Sequence, residues 1–423
     1  MPVTILLLGG SKITFSTPYL RENRKGKRGR KRNKRGTKGT GCYPVLEELG
    51  IRDKVTPATR SEIALYTVQA GSYQEALQLL ERRGLSCDIS TLVRIADTTA
   101  QSDINLRDEA LHAAMDIPVP SDGPLAGKRV RVSLDGGRTR IRKNKKGRKN
   151  HKGRHNFTTH WREPRVLVID ILDEKGKKDP LRLPLYDALI DDADAVFSLV
   201  IGYLRLLGAA YATIVEFIAD GAEWIWDRVD QLATHAEIPH HLLVEVLDFY
   251  HASEHLHEAV ELCKGLSAKK RQKMYRRLRH ALRHDPQGVH IILQELKALA
   301  TTKRGKKMKK KMEYFENHAH RMRYAELDKL HLPVGSGQVE SAVRRIVNMR
   351  FKAPGTFWNE KRVSDLMHLR AFFKAGRWDE LMKRTLTRTF QTPLFESQRD
   401  KESNLANQLE LQPATVYEFQ EAA

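Results

Sequence analysis

The sequence of 423 residues contains only three cysteines and no long run of apolar residues. Cys42, Cys87 and Cys263 lie far apart, which argues against a disulfide framework and against a cysteine-rich zinc site. Scattered thiols fit a reducing compartment, so we expect a cytoplasmic protein. No segment reaches the roughly 18 apolar residues of a membrane-spanning helix, and we expect no such helix.

The N-terminus is apolar but lacks the basic region that begins a signal peptide. Residues 1–20 predict a β-hairpin, because a Gly-Gly-Ser turn at 9–11 separates two apolar runs. Residues 21–40 are dominated by lysine, arginine and glycine and contain almost nothing that could build a core. We interpret 1–40 as a hairpin followed by a basic arm. The arm is either a flexible linker or, the reading we favour, a segment that contacts phosphates.

Positive charge is abundant, because 74 lysine and arginine residues outnumber 52 aspartate and glutamate residues and give a net charge of +22. Such a charge bears on the partners of a protein and not on its fold. Nucleic acid is the first candidate partner and an anionic membrane surface is the second. The chain is long enough for two or three domains with a substantial core.

Residues 41–105 predict a helical domain. Ser72 and Glu75 form a capping box at the start of a helix that Gly84 ends, and a second helix begins at Asp88. Two helices joined by a short turn with glycine are typical of a helix-turn-helix DNA-binding domain, although a purely structural helical pair has the same pattern. The candidate DNA contacts here are Arg82, Arg83 and Arg94.

Residues 106–127 are rich in proline and predict a linker to a catalytic domain at 128–375. Strand patterns begin at residue 128, and their order with helices is β-β-β-α-β-α-β. This order predicts an α/β fold with an RNase H-like mixed sheet. The five strands of this order are 128–135, 138–142, 165–172, 211–219 and 242–247. A further strand is predicted at about 157–161, and the first predicted helix spans about 193–207.

Two further segments of the second half differ from this pattern. A basic helical segment at about 252–330 is interpreted as an insertion between the last strand and a late helix. Residues 376–423 predict a polar tail with a weak helical pattern and no chemistry that we can assign.

A basic tip at 143–154 follows the second predicted strand, and its candidate DNA contacts are Lys145, Lys146, Arg148 and Lys149.

Three acidic residues stand at the ends of predicted elements. Asp135 ends the first strand, Asp220 ends a later strand, and Glu340 lies near the start of a late helix that Ser336 could cap. Each one alone could be an ordinary turn or surface residue. An RNase H-like fold gathers such carboxylates around two divalent cations, and all-oxygen ligands favour Mg²⁺ or Mn²⁺ over zinc. We therefore expect a metal-dependent enzyme that acts on DNA, with these three residues as catalytic metal ligands.

Other polar residues admit two interpretations each. Asp248 and His251 at the end of the last strand either support the metal ligands or form a buried, hydrogen-bonded pair. Arg344 and Arg345 are either a solvated helix face or phosphate contacts. The remaining residues with a structural interpretation are Asp187, Asp191, Asp192 and Asp194 as caps of the helix near 193, Asp170 and Asp173 as strand residues, and Trp224, Trp226 and Trp358 as core residues.

Five short segments occur in a fixed order: Tyr43–Gly50, Ser133–Gly136, Ala219–Trp226, Leu247–His255 and Gly335–Ser341. Together they resemble the ISKra group of bacterial insertion-sequence transposases and, more distantly, Mutator-like DDE transposases. The resemblance covers about residues 41–375. It implies a DDE triad at Asp135, Asp220 and Glu340, and it places the Asp/Cys-x-x-His element of the family at Asp248 and His251. Many relatives carry a cysteine-rich segment before the helical domain, where this chain has only Cys42.

The resemblance implies an insertion-sequence transposase that cuts DNA at the element ends and joins a 3′-hydroxyl to target DNA. It implies two Mg²⁺ or Mn²⁺ ions as cofactors, and double-stranded DNA with terminal inverted repeats and target DNA as partners. It also implies at least a homodimer when two ends are synapsed, a bacterial, nucleoid-associated location and no membrane partner. Two alternatives stay open: an RNase H-like nuclease without strand transfer, and a non-catalytic DNA-binding regulator.

Overall fold

The computed structural model describes residues 1–21, 41–151, 153, 155–299 and 305–395. The predicted basic arm, apart from its first residue, lies outside the described residues, as does the end of the predicted C-terminal tail. Among the described residues, none of the helices has the length and apolar character that crossing a membrane requires.

The N-terminal hairpin is present as predicted. Strands β1 (Pro2–Leu6) and β2 (Lys12–Ser16) pair antiparallel around the glycine turn. A short pair, β3 (Leu20–Arg21) and β4 (Gly41–Cys42), follows. The hairpin joins the helical region because the backbone N–H of Leu6 donates to the carbonyl of Lys54 at 2.8 Å.

The helical region contains α1 (Pro44–Glu48), α2 (Pro57–Gln69), α3 (Tyr73–Arg82) and α4 (Ile89–Ala113). The capping box forms, because Ser72 Oγ accepts from the N–H of Glu75 at 3.1 Å and Glu75 Oε2 accepts from the N–H of Gly71 at 2.7 Å. Gly84 ends α3 with a φ of +78°. Helix α4 begins at its predicted cap, Asp88. It runs past residue 105 into the predicted linker, because its buried side carries on through Asp103, Arg107 and Leu111.

The next strands along the chain are β5 (Arg129–Gly136), β6 (Thr139–Asn144), β7 (Phe157–Arg162), β8 (Arg165–Leu172), β9 (Leu185–Leu189), β10 (Ile214–Ala219) and β11 (Leu243–Leu247). A five-stranded mixed sheet has the order β11-β10-β5-β8-β9. Strands β10 and β11 run parallel to β5, whereas β8 runs antiparallel to β5 and β9 antiparallel to β8. The carboxyl ends of the parallel strands β5, β10 and β11 therefore lie at the same end of the sheet.

Two strand assignments from the sequence were wrong. Segments 138–142 and 157–161 do not enter the sheet but form a separate hairpin, β6–β7. In the order of the sequence, the third strand of the sheet is β9, and the sequence interpretation missed this strand. Its middle residue, Asp187, is fully buried and pairs with Arg107, whereas we had interpreted it as a cap of the helix near 193.

The helices after α4 are α5 (Ala193–Leu206), α6 (Glu223–Trp226), α7 (Val229–His235), α8 (Phe249–Leu262), α9 (Ala268–His284), α10 (Gly288–Leu299), α11 (Gly305–Asn317), α12 (Tyr324–Lys329), α13 (Gly337–Val343), α14 (Met349–Phe351), α15 (Glu360–Ala375) and α16 (Trp378–Thr387). A π-helical turn at Arg344–Asn348 joins α13 to α14. The segment predicted as a helical insertion is helical, in α8 to α12. The segment predicted as a polar tail begins with α16, which buries Trp378 and Leu381.

Helices cover both faces of the sheet. One face packs on α5, α7 and α8 through residues such as Val132 and Phe217. The other face packs on α13 and α15 through residues such as Val166 and Val168. Because side chains alternate between the faces of a strand, Arg131 and Asp135 on β5 point to the face that α13 covers. This three-layer arrangement is an α/β fold.

Candidate active site

Asp135 and Asp220 lie at the same level of the sheet edge. Strands β5 and β10 are parallel neighbours, and their last registered pair is Ser133 with Ile218. Both aspartates stand two residues beyond that pair, so the strand register brings them together on one face. Strands β5 and β10 thus each lead into an aspartate at the point where the chain leaves the sheet.

Glu340 reaches the same edge from the first turn of α13. Its Oε1 accepts a hydrogen bond from Ser336 Oγ at 3.2 Å. The backbone N–H of Ser336 in turn donates to Asp248 Oδ2. Asp248 is fully buried at the end of β11 and also caps α8, because its Oδ1 accepts from the N–H of His251 at 2.8 Å. Asp248 therefore fixes the loop from which the Glu340 helix starts.

Gly335 makes the close approach of this loop possible. A Cβ at that position would lie 2.9 Å from the ring of Tyr250 and 3.8 Å from Asp248 Oδ2. The glycine at 335 is therefore explained by packing against the start of α8, whereas a Cβ at Gly337 would meet nothing within 4 Å.

Electrostatics join the three acids into one cluster. The pKa of Asp135 is raised to about 6, mainly by burial and also by the negative charges of Asp220 and Glu340, against a hydrogen bond from the N–H of Gly136. The charge of His251 acts in the opposite direction and lowers the pKa of Asp135. The predicted triad and the predicted histidine thus share one electrostatic environment.

The three carboxylates have few partners within the described parts of the chain. Asp135 accepts from the N–H of Gly136 at 2.7 Å, and Asp220 accepts from the N–H of Ala222 at 3.1 Å. Among the described residues, none of the three forms an ion pair with lysine or arginine, and each keeps one oxygen without a hydrogen bond. In a chain of net charge +22, such an uncompensated acidic cluster is a candidate cation site.

The donor set fits a hard divalent cation, because all three side chains supply oxygen. Their side chains are not gathered around a common point, since no group of three or more histidine, cysteine, aspartate or glutamate residues within the described chain could hold a metal ion as it stands. Holding an ion would require the carboxylates to turn toward one another from their backbone hydrogen bonds.

Tyr314 on α11 also belongs to this site, and the sequence interpretation missed it. A Cβ on Gly221 would lie 2.6 Å from the Tyr314 ring, so the ring covers the residue after Asp220. The ring stacks on His255 with centroids 3.8 Å apart. Its hydroxyl is buried without a hydrogen-bond partner among the described residues. Burial, followed by the charges of Asp220 and Asp248, raises the pKa of Tyr314, so the hydroxyl stays a donor.

A polar clasp holds α13 on the sheet. Arg131 on β5 pairs with Asp170 on β8 at 3.0 Å, and Gln338 on α13 donates from Nε2 to Asp170 Oδ1 at 2.6 Å. Arg131 also donates to Gln338 Oε1. Gln338 precedes Glu340 by two residues, so the clasp positions the start of the helix. Asp170 is therefore a buried structural partner and not a ligand at the sheet edge.

Several other predicted residues have clear positions. Asp192 caps α5 as predicted, because its Oδ1 accepts from the N–H of Ala195 at 2.9 Å. The prediction for Asp187 was wrong, because it is buried in β9 and binds Arg107 at 2.9 Å. Trp226 is buried as predicted, and its Nε1–H donates to the carbonyl of Asp220 at 2.6 Å.

The candidate DNA contacts are unequally exposed. The tip of the β6–β7 hairpin is exposed, with Lys145, Lys146, Arg148 and Lys149. Arg82 and Arg344 are also exposed. Other candidates have intramolecular partners: Arg83 pairs with Glu62, Arg94 with Asp53, and Arg345 with the hydroxyl of Tyr186.

No protein-family model matches this sequence, and a comparison with curated proteins finds no significant match. The function of the site is therefore inferred from its geometry and from the motifs in the sequence.

Proposed function

We propose that this protein is a DDE-type transposase of an insertion sequence, which cuts DNA at the element ends and transfers a strand to target DNA. One observation carries the proposal: Asp135 and Asp220 stand side by side at the ends of parallel strands, Glu340 lies near enough for its charge to raise the pKa of Asp135, and none of the three forms an ion pair with a lysine or arginine of the described chain. The cluster combines two neighbouring parallel strand ends with one helix. Asp135, Asp220 and Glu340 would hold two Mg²⁺ or Mn²⁺ ions.

The strand order supports the RNase H-like assignment. The first strand after the helical region, β5, lies at the centre, its antiparallel successors β8 and β9 lie on one side, and β10 and β11 lie on the other. This is the arrangement that an RNase H-like sheet requires to bring its strand-end acids together. Residues 128–375 would then be the catalytic domain, with the helices from about 252 to 330 as an insertion.

DNA binding by the helical domain at 41–105 is part of the proposal. Helices α3 and α4 form a consecutive pair, but α4 buries Leu92, Ile95 and Ala96 against its neighbours. Exposed polar side chains at the start of α4 include Ser90 and Arg94. A helix-turn-helix function would therefore use this end of α4 in the major groove.

Each residue has a role that follows from its position. Bound divalent cations would activate the attacking oxygen and stabilise the leaving oxygen at the phosphodiester. Asp135 and Asp220 would supply carboxylate oxygens from rigid strand ends, and Glu340 would supply its own from a clasped helix. Asp248 holds the Glu340 loop, and the Tyr314 hydroxyl is placed to donate beside Asp220. Synapsis of two element ends would need at least a dimer.

The test is cleavage of DNA that carries the element ends, run beside a gel-shift assay. Asp135→Asn, Asp220→Asn and Glu340→Gln are each expected to abolish Mg²⁺- or Mn²⁺-dependent cleavage and to retain DNA binding, because each removes a ligand but no phosphate contact. Asp116→Asn changes the charge equally at an exposed position and should cleave as the unmodified protein does.

Other outcomes would point to other functions. Cleavage without strand joining would indicate a nuclease, and binding without any metal-dependent cleavage would indicate a DNA-binding regulator. Full cleavage in EDTA, or by any one of the three variants, would contradict the proposed metal site.

A further inference from the structure

A basic groove lies beside the candidate active site. Helix α9 forms one wall, and the start of α8 with Val334 forms the other. Its volume is about 700 Å³, within the range of clefts that hold ligands. The polar and aromatic side chains that define it are Tyr250, Arg276, Arg279, His280 and His284.

The sequence of α9 explains why this face is basic. Arg276, Arg279 and His280 recur at the three- and four-residue spacing that places side chains on one helix face. The opposite face buries Met274, Leu278 and Leu282 in the core. Packing of that apolar stripe therefore fixes the cations toward the groove.

Much of this charge has no intramolecular partner. Arg283 forms an ion pair with Asp328. Within the described residues, Arg276 and Arg279 form no ion pair with a carboxylate. Arg277, one position along the helix, points elsewhere and pairs with Glu295. The groove thus keeps two uncompensated guanidinium groups.

Aromatic rings complete the groove. The guanidinium of Arg279 lies 4.8 Å from the centroid of the Phe249 ring. Tyr250 is 59% exposed and leaves a ring surface open to a ligand. Phe249 and Tyr250 directly follow Asp248 in the sequence, and the carboxylate of Asp248 accepts a hydrogen bond from the loop before Glu340. The groove and the acidic cluster therefore share the same support.

We propose that this groove binds the phosphodiester backbone of an unpaired DNA strand next to the acidic cluster, with Tyr250 stacked on a base. The inference rests on the proposed function for its substrate, DNA. Guanidinium groups bind phosphate oxygens in a bidentate manner, and exposed aromatic rings stack on unpaired bases. The basic stripe from Arg276 to His284 extends about 12 Å along the helix, which suits successive phosphates of a strand and exceeds one phosphate group.

The test measures binding without cleavage. The full chain is titrated into fluorescein-labelled single-stranded and duplex oligonucleotides of the same sequence, in EDTA and over a series of salt concentrations. The double variant Arg276→Ala/Arg279→Ala should bind the single strand at least about 10-fold more weakly. For this variant, the slope of log K against the logarithm of the salt concentration should be less steep by about 1.4, because each of the two lost phosphate contacts contributes about 0.7.

The chain offers a charge-matched control on the same helix. Lys273→Ala/Arg277→Ala also removes two positive charges, from the exposed Lys273 and from Arg277, and should bind both oligonucleotides as the unmodified protein does. Tyr250→Ala should weaken single-strand binding about 10-fold and leave duplex binding unchanged. Arg276→Ala alone alters an exposed side chain, so it should leave stability nearly unchanged, and thermal melting checks every variant.

The outcomes separate this inference from the proposed function. Equal binding by the groove variants and the matched control would overturn the groove assignment, and so would a loss confined to duplex DNA. Groove-dependent binding by a protein that never cleaves DNA would leave the groove assignment intact and contradict the transposase. Triad-dependent cleavage with unaffected groove variants would contradict the groove alone.

Discussion

Two acidic regions of this protein, one buried and one partly exposed, differ in whether arginine pairs with their carboxylates. At the far edge of the sheet, Asp187 on β9 contacts Arg107 from α4, and Asp103 contacts Arg384 from α16 at 2.6 Å. His368 lies between them, 2.9 Å from Asp103 and 3.3 Å from Asp187. Near the carboxyl ends of β5 and β10, Asp135, Asp220 and Glu340 have no such partner in the described chain.

The pKa directions express the same difference. Burial alone would raise the pKa of Asp187, but Arg107 and His368 outweigh it and the net shift is downward. For Asp135 burial also raises the pKa, and neighbouring carboxylates raise it further. Burial of an acid is therefore no mark of a functional site. A cluster of neighbouring acids without a counter-charge is the informative feature, because the fold then lacks a cation that a ligand can supply.

The paired region fastens the helical region to the sheet. Asp103 and Arg107 lie on α4, His368 lies on α15 and Asp187 lies on β9, so the network joins separate segments of the chain. Removing one partner of a buried pair leaves an uncompensated charge and costs about 3–5 kcal/mol. The paired region should thus respond to mutation through stability and the unpaired region through activity.

The largest expected effect is on the paired region. Asp187→Asn should lower the free energy of unfolding by about 3–5 kcal/mol, because Arg107 and His368 would lose their shared carboxylate. Denaturant unfolding followed by circular dichroism measures this change. The exposed control, Asp116→Asn, should lie within experimental error of the unmodified protein. A loss below about 1 kcal/mol would show that the network does not stabilise the fold.

Glu216 sharpens the comparison, because it is a buried acid whose nearest arginine is already engaged. It lies opposite Arg131 in the sheet, but Arg131 donates to Asp170 and Gln338, and neither Glu216 oxygen has a hydrogen-bond partner among the described residues. Burial raises the pKa of Glu216 to about 8, against the attraction of Arg131 and Arg129.

A raised pKa in an acid means that the folded protein binds the proton more tightly than the unfolded chain does. Stability should therefore fall as pH rises from the ordinary glutamate range to about 8, and stay low above it. Glu216→Gln should remove this dependence, with little change near pH 5 and a gain on the order of 3 kcal/mol at pH 9. Unfolding at both pH values measures it, with the exposed Glu81→Gln as the control. Parallel pH profiles for Glu216→Gln and the unmodified protein would contradict the buried, unpaired carboxyl.

His251 tests the unpaired region through activity. Its charge lowers the pKa of Asp135, and its backbone N–H donates to Asp248. His251→Ala should slow cleavage about 10- to 100-fold, as the loss of a group that supports metal ligands typically does. Melting temperature should stay unchanged, and His240→Ala, at an exposed histidine, is the control. An unchanged cleavage rate would assign His251 a purely structural role.

The parts of this fold that could be predicted are those that depend on the pattern of residues adjacent in the sequence. Strand β5 has alternating apolar residues, β10 and β11 are mainly apolar, and the helix caps Ser72 and Asp88 follow local rules. Strand β9 escaped notice because Asp187 is neutralised by Arg107, which comes from a distant helix. The β6–β7 hairpin was assigned to the sheet because partner choice between strands is set by tertiary packing and leaves no local signal.

The same distinction applies to the candidate site. The positions of Asp135, Asp220 and Glu340 at element ends could be derived from the order of elements, and the structure places them in one electrostatic environment. Their metal-binding role stays a prediction. Tyr314 and Gln338 could not be found in this way, because their importance arises only when α11 docks over Asp220 and α13 docks on Asp170. A tyrosine in a lysine-rich helix carries no sign of this.

The smallest expected effect completes the comparison with Asp187. Asp135→Asn makes the same chemical change at the unpaired region, and it should raise the free energy of unfolding by about 1 kcal/mol at neutral pH, since it relieves repulsion from Asp220 and Glu340. Denaturant unfolding without divalent cations measures the gain. Added Mg²⁺ or Mn²⁺ should stabilise the unmodified protein and not the variant, because only the former has the complete ligand set. If Asp135→Asn instead destabilises the protein as much as Asp187→Asn does, the carboxylate of Asp135 stabilises the fold as that of Asp187 does, and the proposed difference between the two regions is wrong.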